Sequence, residues 1–403
     1  YDINNTLSIF SMVIIGSLLP GVSRFASTSG VSKELLLKMG RRIALFLGGG
    51  LLLLFIVMRG QYAQYRGHPH LSEAYLFAGC ICCAYAFYAV HIGVINGEKR
   101  FKDQAFYDVV FTTLKVVLVV GAASVGFGVT GAFFGFALAA ISIAALSTRS
   151  LGTKTSTGLT PNGFFTFVGW LVLYTLAFNL AFKVDALILR PSLTPLVETE
   201  SAIDILMGEY GLAVSLSRLP WQGTIALTFV IFPMISEATF QKDRERTKIY
   251  IENTMRYALI LICAISLPLC ARPDYIFDCI PGYTVGAMTL TWMAPAYVCF
   301  SLANLHNTIL MSAGRAKSAL ALMIGSLLLV VGTFTLEFSG VREPERLLTL
   351  AGKMSLLSFG LVSVLGALHI RRVFGRYLSL LSLGRILGIA LVTVELSNLV
   401  GVE

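Results

Sequence analysis

Charge is what this sequence has least of. Charged residues make up 13% of its 403 positions, against about 25% in an ordinary soluble domain. Hydrophobic residues make up 56% and mean hydropathy is +0.78. A soluble globular protein is thereby excluded. Histidine is scarce, five in all, and no His-rich or acidic cluster interrupts the polar connections, so neither a catalytic centre nor a metal or other cofactor is expected. Those connections are short. A sugar ligase or polymerase, which needs a large external loop with reactive Arg or His, is therefore disfavoured. No filter-like or ring-forming pattern marks a pore. Cysteine offers no disulfide framework either: Cys80, Cys82 and Cys83 share one apolar run, and Cys263, Cys270, Cys279 and Cys299 lie in or beside others, where they read as small apolar side chains.

What is present is a series of apolar runs of about twenty residues, the length a helix needs to cross some 30 Å of hydrocarbon. They fall at 4–26, 36–58, 72–96, 104–123, 127–149, 163–188, 208–235, 248–270, 284–312, 315–338, 347–370 and 382–402. The expected fold is an all-α polytopic membrane protein of twelve visible spans, since only helices satisfy their own backbone in lipid. Nineteen basic residues cluster in one alternate set of loops and flanks, among them Lys38, Arg41, Arg42, Lys99, Arg100, Arg244, Arg315 and Arg371, against seven in the other set. Basic loops stay in the cytoplasm, so the richer side is the inner one and both visible ends face outward. An outward start with no signal peptide leads us to expect one further span upstream. The net charge of +9 is then charge at an anionic leaflet, not a nucleic-acid surface.

The spans repeat. The first and seventh open on Tyr1 and Tyr210, the second and eighth carry Arg42 and Arg256 near their starts, and the third and ninth end in Gly97 and Gly314, each followed by basic residues. Three correspondences at offsets of 209, 214 and 217 suggest two homologous halves: an N-terminal lobe at 1–150, a C-terminal lobe at 163–340 and extra helices at 347–403. Halves that share an orientation form a parallel repeat, which in transporters places the substrate between lobes that rock against each other.

Ionisable groups inside spans cost from about 2.5 kcal/mol upward and are functional candidates by default. The strongest are Lys183 and Asp185, which on one continuous helix point about 200° apart and cannot simply pair. Arg218 lies mid-span beside Pro220, too deep to reach the interface comfortably, as a lumen-lining residue would. Lys115 is equally deep, with Asp108 two turns earlier; the structural alternative to a lumen role is a bridge between them through a third group. Arg24 and Arg42 sit at inner ends, where lipid phosphate contact competes with a substrate role. His91 and His306 fall in corresponding spans and read first as satisfied polar groups. The deep charges lean cationic, which favours an anionic substrate.

Three segments carry a family resemblance: Lys183-Val184-Asp185; Glu209-Tyr210-Gly211-Leu212-Ala213 with Leu219-Pro220 and Phe232-Pro233-Met234-Ile235-Ser236; and Ile309-Leu310-Met311-Ser312-Ala313-Gly314-Arg315-Ala316-Lys317. In order and spacing they resemble the multidrug/oligosaccharidyl-lipid/polysaccharide exporter superfamily, and within it the polysaccharide transporters that flip lipid-linked O-antigen or capsule repeat units. The resemblance implies two six-helix bundles forming a V. It also implies a polyprenyl-pyrophosphate-linked oligosaccharide turned across the bacterial inner membrane, with membrane lipids, a polysaccharide polymerase and export proteins as partners. Arg24, Lys115, Lys183 and Arg218 would then contact pyrophosphate or acidic sugars, and Asp185 would pair with them or carry a coupling cation. The other reading within the superfamily is a cation-coupled drug or metabolite antiporter. Gly40-Arg41-Arg42 is similar to the basic loop of major-facilitator transporters, but Leu37 stands where that loop carries an acid, and no second copy occurs.

Overall fold

With no water in hydrocarbon to accept their backbone hydrogen bonds, the apolar runs form helices. The computed structural model describes residues 2–28, 30–65, 71–151, 160–279, 286–338, 340–375 and 377–378, with 384–386, 388–389, 392–393 and 395 beyond them. Eleven helical segments among these residues are long and apolar enough to cross a membrane, from Leu7–Ala26 to Pro344–Phe374, and each overlaps an expected span. The twelfth expected span, 382–402, falls largely outside the described residues.

The helices are α1 (Asp2–Ala26), α2 (Lys33–Ala44), α3 (Gly50–Tyr65), α4 (Ser72–Gly97), α5 (Phe101–Ala122), α6 (Gly128–Ser147), α7 (Phe164–Ala181), α8 (Val184–Leu193), α9 (Glu200–Ser217), α10 (Leu219–Phe240), α11 (Arg244–Ala271), α12 (Pro273–Asp278), α13 (Gly286–Ser312), α14 (Ala316–Phe338) and α15 (Pro344–Phe374). One compact unit comprises residues 1–179 and 232–240; the other comprises 180–231 and 241–403. Each is built round one buried helix.

In the first unit that helix is α4, which packs on α1, α3 and α6. Small residues set its distance from α1. A Cβ added at Gly97 would lie 2.5 Å from both the Ser23 carbonyl and the Ala26 Cβ, and one at Gly93 would lie 2.9 Å from the Leu19 carbonyl. Glycine lets the two backbones touch, the usual means of joining helices in lipid. Hydrogen bonds fasten the C-terminal end of α4: Ser23 Oγ donates to Asn96 Oδ1 (2.6 Å) and Asn96 Nδ2 donates to Gln104 Oε1 (2.8 Å), all three residues being buried. Gly97→Val must push α1 and α4 apart, so a loss of about 1–3 kcal/mol is expected. A detergent melt that leaves Tm where it was would contradict this packing.

In the second unit α13 takes the corresponding place, against α9, α11, α14 and α15. The two central helices end in the same hydrogen-bonded cap. Arg100 N–H donates to the Ile95 carbonyl and Lys99 N–H to that of Asn96; Arg315 N–H donates to the Leu310 carbonyl and Gly314 N–H to that of Met311. Lys99 (φ 60°) and Gly314 (φ 80°) supply the left-handed residue each cap needs. These caps correct the register expected from sequence: Lys99, not Gly97, is the partner of Gly314, an offset of 215. His91 and His306 obey the same offset. Both are buried, and their ring nitrogens meet Ser147 Oγ (2.9 Å) and the Tyr377 hydroxyl (2.8 Å) respectively.

Candidate functional site

Two spans break, at residues of the second unit, where their ionisable residues sit. α7 stops at Ala181, Phe182 and Lys183 form a turn, and α8 starts at Val184. Because the helix does not run through, the 200° separation expected of Lys183 and Asp185 does not hold. The other break is at Arg218, between α9 and α10. Pro220 accounts for it: proline has no N–H for the Leu216 carbonyl, and its ring crowds that carbonyl. Proline at the second position of the new helix α10 costs nothing.

Arg218 ties the two breaks together. Its Nη2 donates to the Phe182 carbonyl (2.9 Å) and its Nε to the Tyr297 hydroxyl (3.0 Å). The first of these satisfies a carbonyl that the break in the span leaves without a helical partner. The guanidinium lies 3.7 Å from the Phe182 ring centroid, a stacked cation–π contact that needs Arg rather than Lys. A guanidinium carries five N–H donors; Arg218 spends two, and the rest are uncommitted among the described residues. Half-buried Lys183 is within electrostatic range of Arg218.

Asp185 faces the same cluster from the first turn of α8. It is buried, at 8% exposure, and accepts from the Tyr210 hydroxyl (2.8 Å) and the Ala186 N–H (2.8 Å). A carboxylate at a helix N-terminus also gains from the helix dipole. Aromatic side chains wall the cluster: Phe182 packs on Trp221 and Phe300, and Tyr297 and Phe300 pack on Phe359, with ring centroids 5.0–5.9 Å apart. The result is two cations and a buried anion at a pair of helix breaks, lined by rings. Such a place can hold an anionic oxygen and stack a flat apolar face beside it.

The other two predicted residues lie in the first unit. Arg24, buried at the inner end of α1, has its guanidinium over the rings of Phe167 (5.1 Å) and Phe240 (4.6 Å). Phe25 packs on Phe164, Phe167 and Phe240 beside it, and a Lys99–Glu237 ion pair joins the end of α4 to the last turns of α10. Lys99→Glu and Glu237→Lys are each expected to lower Tm, with the double exchange recovering it by up to about 1 kcal/mol. Absence of recovery would show that the pair does not hold these ends. Lys115 sits over Phe111 (5.7 Å) and Phe136 (5.4 Å). Asp108 and Lys115 form no direct ion pair among the described residues; Asp108 accepts from the Tyr88 hydroxyl (2.9 Å).

The sequence profile of a family described as polysaccharide biosynthesis protein matches residues 42–282, more than half of the 403. This chain belongs to that family. No curated protein sequence matches it. Among solved structures, this chain resembles a crystal structure of MATE in the straight conformation, with a TM-score of 0.77 and 13% identity over 93% of this chain and 87% of the other. The bent conformation gives 0.73 and 16% identity, over 92% and 86%. An outward-facing multidrug resistance MATE family transporter of the MOP superfamily gives 0.75 and 13% identity, over 93% and 87%. Identities this low show the fold, that of an all-α polytopic membrane protein, and fold and family together agree with the exporter superfamily that the motifs resemble.

Three of the side chains that build the cluster escaped the sequence reading: Phe182, Tyr210 and Tyr297. Apolar and aromatic residues are everywhere in this sequence, so composition gives them no contrast. The available signals were adjacency to Lys183 for Phe182 and the Glu209-Tyr210 motif for Tyr210. Glu209 was missed as well; it is buried and its carboxylate accepts from the Gly286 N–H (2.8 Å).

Proposed function

We propose that the protein is an alternating-access flippase of the bacterial inner membrane that turns a polyprenyl-pyrophosphate-linked oligosaccharide from the cytoplasmic to the outer leaflet. The observation that carries the reading is the Lys183–Arg218 cluster, an arginine with uncommitted donors and a neighbouring lysine set at paired helix breaks among aromatic rings. Discontinuous helices of this kind form the binding sites of many transporters. Spare guanidinium donors suit pyrophosphate or acidic sugar oxygens. The polyprenyl chain stays in lipid while the polar head passes along protein, which avoids several kcal/mol of desolvation. In this scheme Asp185 positions Tyr210 and balances the cations, and Arg24 and Lys115 contact the head group at other stages of the cycle. The protein acts as a carrier and breaks no covalent bond.

A second reading, a cation-coupled antiporter, is favoured by the two buried carboxylates Asp185 and Glu209. Deleting the gene separates the two. The flippase reading expects lipid-linked repeat units to accumulate on the cytoplasmic leaflet and surface glycan to fall. Normal surface glycan, with loss of ion-driven dye efflux, would transfer the assignment to the antiporter.

A further inference from the structure

The first unit holds a cavity of about 560 Å³ on the far side of α4 from α1, between α3 and α6. Its walls are apolar, from Leu52, Cys83, Phe87 and Ile141, and it is open along the exposed residues Ile141, Ala145 and Thr148. One end is polar, formed by Arg41, His91 and Thr148. By the asymmetry of basic residues that end is the cytoplasmic one. From His91 to Cys80 the lining follows α4 for about 16 Å at 1.5 Å per residue, close to the roughly 15 Å of hydrocarbon in one leaflet. Gly48, in the π-helical turn Leu45–Gly49, closes the wall: a Cβ there would lie 2.8 Å from the Ala86 Cβ and 3.0 Å from the Cys83 Cα.

Two polar groups at that end await a ligand. Lys33, Lys99 and Arg100 of the same unit are each ion-paired, whereas exposed Arg41 has no carboxylate partner among the described residues. His91, 3% exposed, contacts Ser147 Oγ through Nδ1 (2.9 Å). With the Ser147 hydroxyl assigned as donor to the Ala144 carbonyl (2.9 Å), Nδ1 is the donor in that contact and Nε2 is left as an acceptor. That Nε2 is buried without a partner among the described residues. The groove therefore offers a cation for a phosphate, an acceptor for a hydroxyl, and an apolar trough one leaflet deep.

We propose that this groove seats one acyl chain of an inner-leaflet phospholipid that is anionic and bears a hydroxylated head group, phosphatidylglycerol being the simplest. Its phosphate lies at Arg41 and a head-group hydroxyl donates to His91. The occupant is a resident membrane lipid, distinct from the substrate bound at Arg218.

The test uses the purified full chain in nanodiscs containing phosphatidylglycerol with a diazirine in its acyl chain, and peptide mass spectrometry after photolysis. Labelling is expected on residues 80–91 and 141–148, competed by unlabelled phosphatidylglycerol. Arg41→Gln is expected to lower it roughly fivefold, the value of one basic side chain at an anionic surface. Ala145→Trp, which fills the open side from an exposed position, is expected to abolish it with Tm unchanged. The proposal is overturned by equal labelling from the phosphatidylcholine analogue, or by labelling that survives Ala145→Trp or ignores Arg41→Gln. Stronger competition from a polyprenyl phosphate than from phosphatidylglycerol would overturn it too, and would give the groove to the isoprenoid.

Discussion

If the protein is the flippase proposed above, replacing Arg218 with alanine is expected to slow transfer of the lipid-linked oligosaccharide by roughly a hundredfold, the equivalent of about 3 kcal/mol. The figure is the loss of charge-assisted hydrogen bonding to the head group, about 1.5–3 kcal/mol; the cation–π contact with Phe182, about 1–2 kcal/mol, is lost as stability. The substitution also leaves the Phe182 carbonyl without its donor, at a break where no helical N–H replaces it. Arg218→Lys keeps the charge but cannot both stack on Phe182 and reach Tyr297, so an intermediate rate is expected. Reconstituted vesicles carrying a labelled lipid-linked sugar give the measurement. If Arg218→Ala folds and transports at the wild-type rate, the cluster is not where the head group binds.

The second large effect is at Asp185. Asp185→Ala removes the acceptor of a buried tyrosine hydroxyl and of an N–H in the first turn of α8. Each unsatisfied buried donor costs about 1–3 kcal/mol, so a loss near 3 kcal/mol and a clear fall in Tm are expected. Asp185→Asn retains an amide oxygen to accept one of these bonds and should melt close to wild type. Transport then separates shape from charge. A stable but inactive Asp185→Asn means that the negative charge beside Lys183 and Arg218 takes part in the cycle, whereas a stable and fully active one reduces Asp185 to an anchor for Tyr210.

The comparison between sequence and structure turns on particular residues. Lys183, Asp185 and Arg218 were legible because an ionisable side chain in an apolar run has almost no background to hide in. Pro220 stands beside Arg218 in the sequence, but 208–235 reads there as one span, and the break came with the structure. Phe182, Tyr210 and Tyr297 were not legible, since a ring that stacks on a guanidinium and one that faces lipid have the same hydropathy. The repeat was visible, yet its register was set two residues too far by pairing glycine with glycine. The left-handed position that matches Gly314 is filled by Lys99, and no sequence rule prefers lysine there.

The sequence alone located the eleven apolar runs that form membrane-length helices among the described residues, and showed that ionisable groups lie within a few of them. Hydrophobic length and basic-residue asymmetry act segment by segment, so they can be read without knowing which helices touch. Which charges meet was decided only by tertiary structure. Arg218 reaches Phe182 and Tyr297 across 36 and 79 residues of chain, and Arg24 finds Phe240 at the end of a helix that starts in the other unit. Hydropathy is a property of each segment, whereas a partner is fixed by the packing of several.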